Sequence, residues 1–255
     1  MIRKGIILAG GRGLRMSPLT LSVNKQLLPL YDKPLIFYPL SVLMSIGIKR
    51  ILIIVNKGQL KQFRKILPEK NNLGISIKYK EQAKPGGLPQ AFTIGKKFIG
   101  NDSVSLILGD NFFYGKNLSK ILRKNINLDS GVKIFIHPVK KPSLYGIATI
   151  DKNKKVINLV EKPKKTNSKF AVTGLYFFDN QVINLTKKLK PSKRGELEII
   201  DLLKFYKKLN KLKAEFIGNG SLWLDTGDIK SFYRASNFVS NIESKKGLKI
   251  GCIEE

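Results

Sequence analysis

The sequence predicts an α/β fold with a mixed, mostly parallel central sheet, on three observations. Apolar runs of strand length alternate with helix-spaced segments over the first half of the chain, and the first of these runs opens into a glycine-rich loop. From Val132 onward the texture changes to short alternating strands, which predicts a smaller antiparallel or mixed section.

Taken in order, Gly5 to Ala9 is a continuous apolar run, as expected of a strand buried on both faces, and it runs into Gly10-Gly11-Arg12-Gly13. Tyr38 to Ile48 has helical spacing and Arg50 to Val55 is a second apolar run bounded by Asn56 and Gly58, so a strand, loop, helix, strand unit forms. The pattern repeats with a helix over Gln59 to Leu67, a strand over Ile75 to Tyr79, a helix over Pro89 to Phe98 and a buried strand over Ser103 to Leu108 that ends at Gly109-Asp110-Asn111. Alternating strands are predicted over Val132 to Pro138, Tyr145 to Ile150, Val156 to Val160 and Phe170 to Phe178. Helices follow over Asn180 to Leu189, Leu197 to Leu209 and Ile229 to Ser244. With no linker, low-complexity tract or internal repeat, the 255 residues read as one continuous fold with two lobes.

Composition narrows the chemistry. One cysteine, Cys252, and one histidine, His137, exclude an intrachain disulfide, a zinc cluster and a histidine-based triad. No apolar span reaches the roughly 18 residues a membrane helix needs, and the N-terminal apolar stretch is too short for a secretory signal, so a cytoplasmic protein is expected. The 47 Lys and Arg against 18 Asp and Glu give a net charge of +29. Only eight of the 47 are Arg, however, and the lysines are scattered among Asn and Ile, whereas a phosphate-gripping face concentrates both types. No specific nucleic-acid partner is expected, only low-salt polyanion binding.

Three constellations could carry chemistry. In Leu8-Ala9-Gly10-Gly11-Arg12-Gly13-Leu14-Arg15 the glycines let backbone amides approach a phosphate that a Cβ would block, and Arg15 supplies a charged fork. The stretch lacks the Gly-Lys-Ser/Thr ending of a P-loop and the G-x-G-x-x-G of a dinucleotide loop, and a merely tight turn is its plain alternative. Asp110 follows the carboxyl end of an apolar strand, where open α/β sheets place ligands, and a carboxylate there can hold Mg²⁺ if a second acid joins it. Asp225, in Trp223-Leu224-Asp225-Thr226-Gly227, is the candidate; either Asp alone reads first as a cap or turn residue, and the pair beside a phosphate loop shifts the balance toward metal. Glu161-Lys162-Pro163 sets an acceptor beside a cation at a strand end, suited to a sugar hydroxyl and a phosphate, or to nothing more than an exposed ion pair. His137 reads as a packed strand histidine.

Together these residues resemble a known family. Gly10 to Arg15 with Pro18-Leu19-Thr20, then Lys25-Gln26-Leu27-Leu28-Pro29, Asp32-Lys33-Pro34 and Tyr38-Pro39-Leu40, look like the N-terminal signature of sugar-nucleotide pyrophosphorylases. Leu108 to Gly115, Glu161-Lys162-Pro163, Val172 to Tyr176, Arg194 to Ile199 and Trp223 to Gly227 follow in the family's order, and the set, which spans nearly the whole chain, is most similar to bacterial glucose-1-phosphate thymidylyltransferases. The resemblance implies a Rossmann-like nucleotidyltransferase fold that converts dTTP and glucose 1-phosphate to dTDP-glucose and pyrophosphate with Mg²⁺, the entry step to dTDP-rhamnose and related deoxysugars. It implies a nucleotide-binding lobe over about residues 1–130, a sugar-binding lobe over about 131–227 and a C-terminal helix over 228–255.

Carried over by position, Gly10, Gly11, Gly13, Leu14 and Arg15 would hold the nucleotide phosphates, Lys25 would ride on the α-phosphate with Gln26 beside it, and Gln82 and Gly87 would read the thymine edge. Asn111, Tyr145, Gly146, Glu161 and Val172 would hold the sugar. Lys162 and Arg194 would neutralise its phosphate, Trp223 would wall the pocket, and Asp110 and Asp225 would take the metal. Arg15, Lys25 and Lys162 are the expected catalytic cations. Leu14 stands where the family has Thr and Arg12 where Ser is usual. The sequence ends before the family's further C-terminal helices, which help to form the homo-oligomer and a regulatory nucleotide site, so the family tetramer is not carried over. Other bases or sugars, UTP among them, and an idle nucleotide-sensing homologue are the rival readings.

Overall fold

The computed structural model describes residues 1–254. In chain order its elements are β1 (Lys4–Ala9), β2 (Pro29–Leu30), β3 (Lys33–Pro34), α1 (Phe37–Ser45), β4 (Arg50–Asn56), α2 (Leu60–Ile66), β5 (Ser76–Gln82), α3 (Gln90–Ile94), α4 (Lys96–Ile99), β6 (Val104–Leu108) and β7 (Asn111–Tyr114). There follow α5 (Leu118–Asn125), β8 (Val132–Pro138), β9 (Gly146–Ile150), β10 (Val156–Glu161), β11 (Phe170–Phe178), α6 (Val182–Thr186), α7 (Ile199–Lys208), β12 (Leu212–Phe216), β13 (Leu222–Asp225) and α8 (Ile229–Lys246). No helix among the described residues is long and apolar enough to cross a membrane.

One nine-stranded sheet organises the chain, in the order β10-β9-β11-β6-β1-β4-β5, with β8 joining β11 and β12 joining β8. Strands β6, β1, β4 and β5 are parallel, while β11 runs antiparallel to β6, β8 and β9. The expected alternating section is therefore the continuation of the main sheet, with β11, an almost wholly buried strand, as its seam. Strand alternation sends Ile7, Ile53 and Val55 to one face against Leu40 of α1, Phe63 of α2 and Leu122 of α5. It sends Ile6, Leu52 and Ile54 to the other, against Phe92 of α3, Leu185 of α6 and Leu203 of α7. Burial on both faces is why β1, β4 and β6 read as unbroken apolar runs.

Two expectations are corrected. The helix over Pro89 to Phe98 is two short helices broken at Gly95, where a Cβ would sit 2.9 Å from both the Ala91 carbonyl oxygen and Ile6 Cδ1. The C-terminal helix, expected over 228–255, of which residue 255 lies outside the described residues, stops at Lys246, because Gly247 adopts a left-handed φ of 63° and its N–H returns to the Glu243 carbonyl. A two-stranded ribbon, β7 with β13, lies outside the main sheet and was not foreseen. It packs with α8 in a separate apolar cluster that includes Phe112, Leu224, Ala235 and Val239.

Beyond α8 the chain folds back, burying Ile250 and Ile253. Glu243, itself buried, ties this return: it accepts hydrogen bonds from Ile250 N–H (2.9 Å), Lys249 Nζ (2.9 Å) and Lys33 Nζ (3.1 Å). Burial pushes its carboxyl up, but the Ile250 N–H and the two lysines win and lower it to about 2. An acid whose folded-state value is depressed contributes stability above its ordinary range and loses it as the pH falls toward the folded value. Glu243→Gln is expected to lower stability at pH 7 by on the order of 2 kcal/mol, with the deficit closing between about pH 4.5 and 2. Urea unfolding at several pH values checks this, and a pH-independent deficit would contradict it.

Candidate active site

The carboxyl ends of β1, β4, β5 and β6 lie along one edge of the parallel sheet, and the glycine loop leaves β1 there. Gly11 and Gly13 take positive φ angles of 102° and 61°. The loop is clamped from the end of β4: Asn56 Oδ1 accepts from Gly11 N–H at 3.0 Å and Asn56 Nδ2 donates to the Gly11 carbonyl at 2.8 Å. Thr20 Oγ1 donates to the Gly13 carbonyl at 2.9 Å. Two side-chain clamps hold the loop backbone in an open shape without covering it. Leu14 is exposed and begins a single 3₁₀ turn, and Arg15 extends from that turn over Gly227, whose missing side chain leaves room for the guanidinium.

Lys25 opens a second 3₁₀ turn, capped by Asn24, whose Oδ1 accepts from Gln26 N–H at 2.8 Å. Asn24 Nδ2 also donates to the Ala9 carbonyl (3.1 Å) and to Gln59 Oε1 (2.6 Å), fixing this turn beside the end of β1. Lys25 is thereby aimed at Asp110, to which its Nζ donates in a largely buried ion pair. Gln26 is buried, and its side chain fills the space a Cβ on Gly109 would need.

Asp110 and Asp225, 115 residues apart in sequence, are brought together by the β7–β13 ribbon, in which Asp225 pairs with Asn111. Thr226 closes the join, donating to the Asp110 carbonyl from both its N–H (3.0 Å) and its hydroxyl (2.7 Å). The two carboxylates are held in contrary states. Burial pushes Asp110 up, but the charge and hydrogen bond of Lys25, with Asn111 donating to Oδ1 at 3.1 Å, bring it below the ordinary carboxylate range. Asp225 is raised, first by burial and then by repulsion from Asp110, and Arg15 at 4.0 Å relieves it only in part. Adjacent acidic oxygens whose mutual repulsion is incompletely cancelled form the hard donor set that a divalent cation takes.

The predicted sugar residues gather on the neighbouring strands. Trp223 donates through Nε1 to Asn111 Oδ1 at 2.6 Å, and the same oxygen accepts from Gly174 N–H at 3.1 Å. The buried Asn111 amide is thus a junction between Asp110, Trp223 and β11. Tyr145 lies 5.1 Å from Trp223, ring centre to ring centre. Gly146 leaves room for Ile200 and Glu161, whose carboxyl is raised by burial and by Glu198. Arg194 bridges the two acids, at 2.8 Å from Glu198 and 3.5 Å from Glu161, while Lys162 stands 4.0 Å from Glu161. Val172 is buried in β11, and its side chain packs in the core on that face. His137 stands 6.5 Å from Trp223 and Cys252 contacts Glu254, so neither joins the charged cluster.

A cavity of about 570 Å³ is lined by Gly11, Arg15, Lys25, Lys84, Arg194 and Gly227 among others. The glycine loop, the expected cations Arg15 and Lys25, and Arg194 therefore share one space. Arg12 lines it too, placing the charge gained in this loop inside the site. Sequence reasoning missed Asn24, Asn56, Thr226, Glu198 and Lys84. Asn56 carried a signal, since it is the polar residue that ends an apolar parallel strand at the ligand edge.

Comparison with known proteins identifies the family and the fold. Residues 4–242 match the family model for nucleotidyl transferases. A glucose-1-phosphate thymidylyltransferase of Neisseria meningitidis serogroup A is 46% identical over 252 residues, covering 99% of this chain and 88% of the relative. One from Mycolicibacterium smegmatis is 47% identical over 252 residues, covering 99% and 87%. Among solved structures, a Bacillus anthracis protein described as a glucose-1-phosphate thymidylyltransferase, with sucrose bound, superposes with a TM-score of 0.85 at 38% identity, covering 92% of this chain and 94% of that one. UDP-glucose pyrophosphorylase complexed with UDP-glucose shares the fold, with a TM-score of 0.82 at 24% identity over 94% of this chain and 99% of that one. This chain, matched across nearly its whole length in sequence and in fold, belongs to the nucleotidyl transferase family.

Proposed function

We propose that the protein transfers the thymidylyl group of dTTP to glucose 1-phosphate, giving dTDP-glucose and pyrophosphate. The observation that carries this reading is the convergence of Asp110 and Asp225 beside the glycine loop, with Lys25 and Arg15 on the same pair. The phosphate oxygen of a sugar 1-phosphate is an anion at neutral pH and attacks phosphorus without a general base. The barrier lies in bringing two polyanions into line. Backbone amides of the loop around Gly11 and Gly13 cradle the triphosphate, Lys25 and Arg15 offset its charge at the reacting phosphorus, and Arg194 and Lys162 receive the sugar phosphate. Asn56 and Asn24 keep the loop and the Lys25 turn in place, so little reorganisation accompanies reaction. Asp110 and Asp225 would hold Mg²⁺, which supplies charge stabilisation at the phosphoryl oxygens when bound.

Glu161, raised by burial, is a fitting acceptor for sugar hydroxyls beside Gly146, and Trp223 with Tyr145 provides the apolar wall a pyranose ring packs on. The test is Mg²⁺-dependent pyrophosphate release measured with dTTP, UTP, dCTP, ATP and GTP against several sugar 1-phosphates. The pair dTTP and glucose 1-phosphate is expected to give the highest kcat/KM. A higher value for another pair would reassign base or sugar, and no release with any pair would refute the transfer reaction.

A further inference from the structure

At the end of β5, Gln82 is buried and its amide is oriented by a second amide, that of Gln90 in the first turn of α3. An amide side chain can be turned end for end, and contacts alone rarely settle which end is oxygen. Here the chain of donors settles it. Gly86 N–H is a donor that cannot be reversed, and it points at the end of the Gln90 amide that also meets Gln82, at 3.0 Å. That end of Gln90 must be its oxygen, so the end of Gln82 in contact with it must be the NH₂ group. Gln82 Oε1 is thereby turned the other way, against Gly10 of the glycine loop, where a Cβ on residue 10 would overlap it. Among the described residues nothing donates a hydrogen bond to that oxygen, and Gly87 N–H, one residue past the Gly86 contact, donates to no acceptor.

We propose that Gln90 is a positioning residue that sets base choice: by holding Gln82 with its oxygen turned toward the glycine loop, it makes the site select a pyrimidine whose N3 carries a hydrogen. The inference rests on the proposed thymidylyl transfer and on the nucleotide base lying against Gln82 and Gly87. A free acceptor on Gln82 and a free donor on Gly87, both placed by Gln90, match the imide edge of thymine or uracil, where N3–H donates and a carbonyl accepts. Cytosine presents an unprotonated N3 to the same oxygen, and the two lone pairs repel. A site built to hydrogen-bond one tautomeric pattern rejects the opposite one because its own groups are left unpaired. Gln90 does this without reaching the nucleotide itself. Its oxygen also pins the Gly86-Gly87 turn, and that turn is held from its other side by Leu197 N–H donating to the Gly86 carbonyl at 2.9 Å.

The test compares kcat and KM for dTTP and dCTP, each with glucose 1-phosphate and Mg²⁺, in the wild-type protein, Gln90→Met and Gln90→Glu. Gln90→Met fills the same volume without an acceptor, so the dTTP-to-dCTP ratio of kcat/KM is expected to fall at least about tenfold, chiefly through a higher KM for dTTP. Gln90→Glu keeps an acceptor for both donors and is expected to preserve the ratio within about threefold. A Gln90→Met protein that loses activity equally on both nucleotides would mark Gln90 as merely structural and overturn the proposal, as would a Gln90→Glu ratio as low as that of Gln90→Met. Should Gln90→Met fail to fold, Gln90→Ala gives the same readout. A wild-type protein inactive with dTTP would refute the transfer reaction and this inference with it, whereas an active wild type with an unchanged Gln90→Met ratio would refute this inference alone.

Discussion

Lys25→Ala is expected to lower the turnover of dTTP and glucose 1-phosphate by at least about 10²-fold, and Asp110→Asn to do the same, the scale of removing one preorganised electrostatic group from a reacting centre. The two variants fail for different reasons. Lys25 is a largely buried cation aimed by the Asn24 cap, so its loss removes charge beside the reacting phosphorus and also leaves Asp110 uncompensated next to Asp225. Asp110→Asn leaves Lys25 in position but removes half of the acidic pair, so its defect is expected to be partly relieved by raising the Mg²⁺ concentration, which Lys25→Ala should resist. Steady-state pyrophosphate release over a Mg²⁺ series distinguishes the two. Turnover near that of the wild type in either variant would contradict the assignment.

Asp225→Asn is expected to move activity and stability in opposite directions. Asp225 is raised to about 6 by burial and by Asp110, so at neutral pH the protein carries an ionised carboxylate that its surroundings disfavour. Replacing it with the isosteric amide removes that repulsion and is expected to stabilise the metal-free protein by about 1–3 kcal/mol at pH 7.5. The same change removes a ligand of the proposed cation and is expected to lower turnover by at least about 10²-fold. Saturating Mg²⁺ should stabilise the wild type more than Asp225→Asn, because binding to the folded state alone raises its stability. Thermal unfolding with and without Mg²⁺ measures all of this. A variant less stable than the wild type without metal would show that Asp225 serves the fold and not a cation.

Much of this arrangement was legible in the sequence, and what was not has physical reasons. Strands β1, β4 and β6 announced themselves because parallel strands covered on both faces must be apolar throughout. The β7–β13 ribbon did not. Asn111–Tyr114 and Leu222–Asp225 are four residues each, too short to show a period, and their partners lie more than 100 positions away. Pairing Asp110 with Asp225 by chemistry nevertheless anticipated that the two would meet, and the ribbon is the means. Gly11 and Gly13 were visible because glycine is demanded by positive φ, and Gly10 because Gln82 leaves no room for a Cβ there. The clamps from Asn24, Asn56 and Gln90 were hidden because an amide can serve any backbone group and its partner cannot be read from spacing. Asn111, expected against the sugar, has its oxygen already shared by Trp223 and Gly174, which only the three-dimensional arrangement reveals.

The most direct measurement of the central claim is the rate of pyrophosphate release from dTTP and glucose 1-phosphate by the intact protein, first stripped with EDTA and then titrated with Mg²⁺. A rate that is abolished by the chelator, restored in a saturable way by Mg²⁺, and not restored in Asp225→Asn at the same concentrations is the predicted result. Full turnover in EDTA, or an Asp225→Asn titration that overlays the wild type, would contradict it.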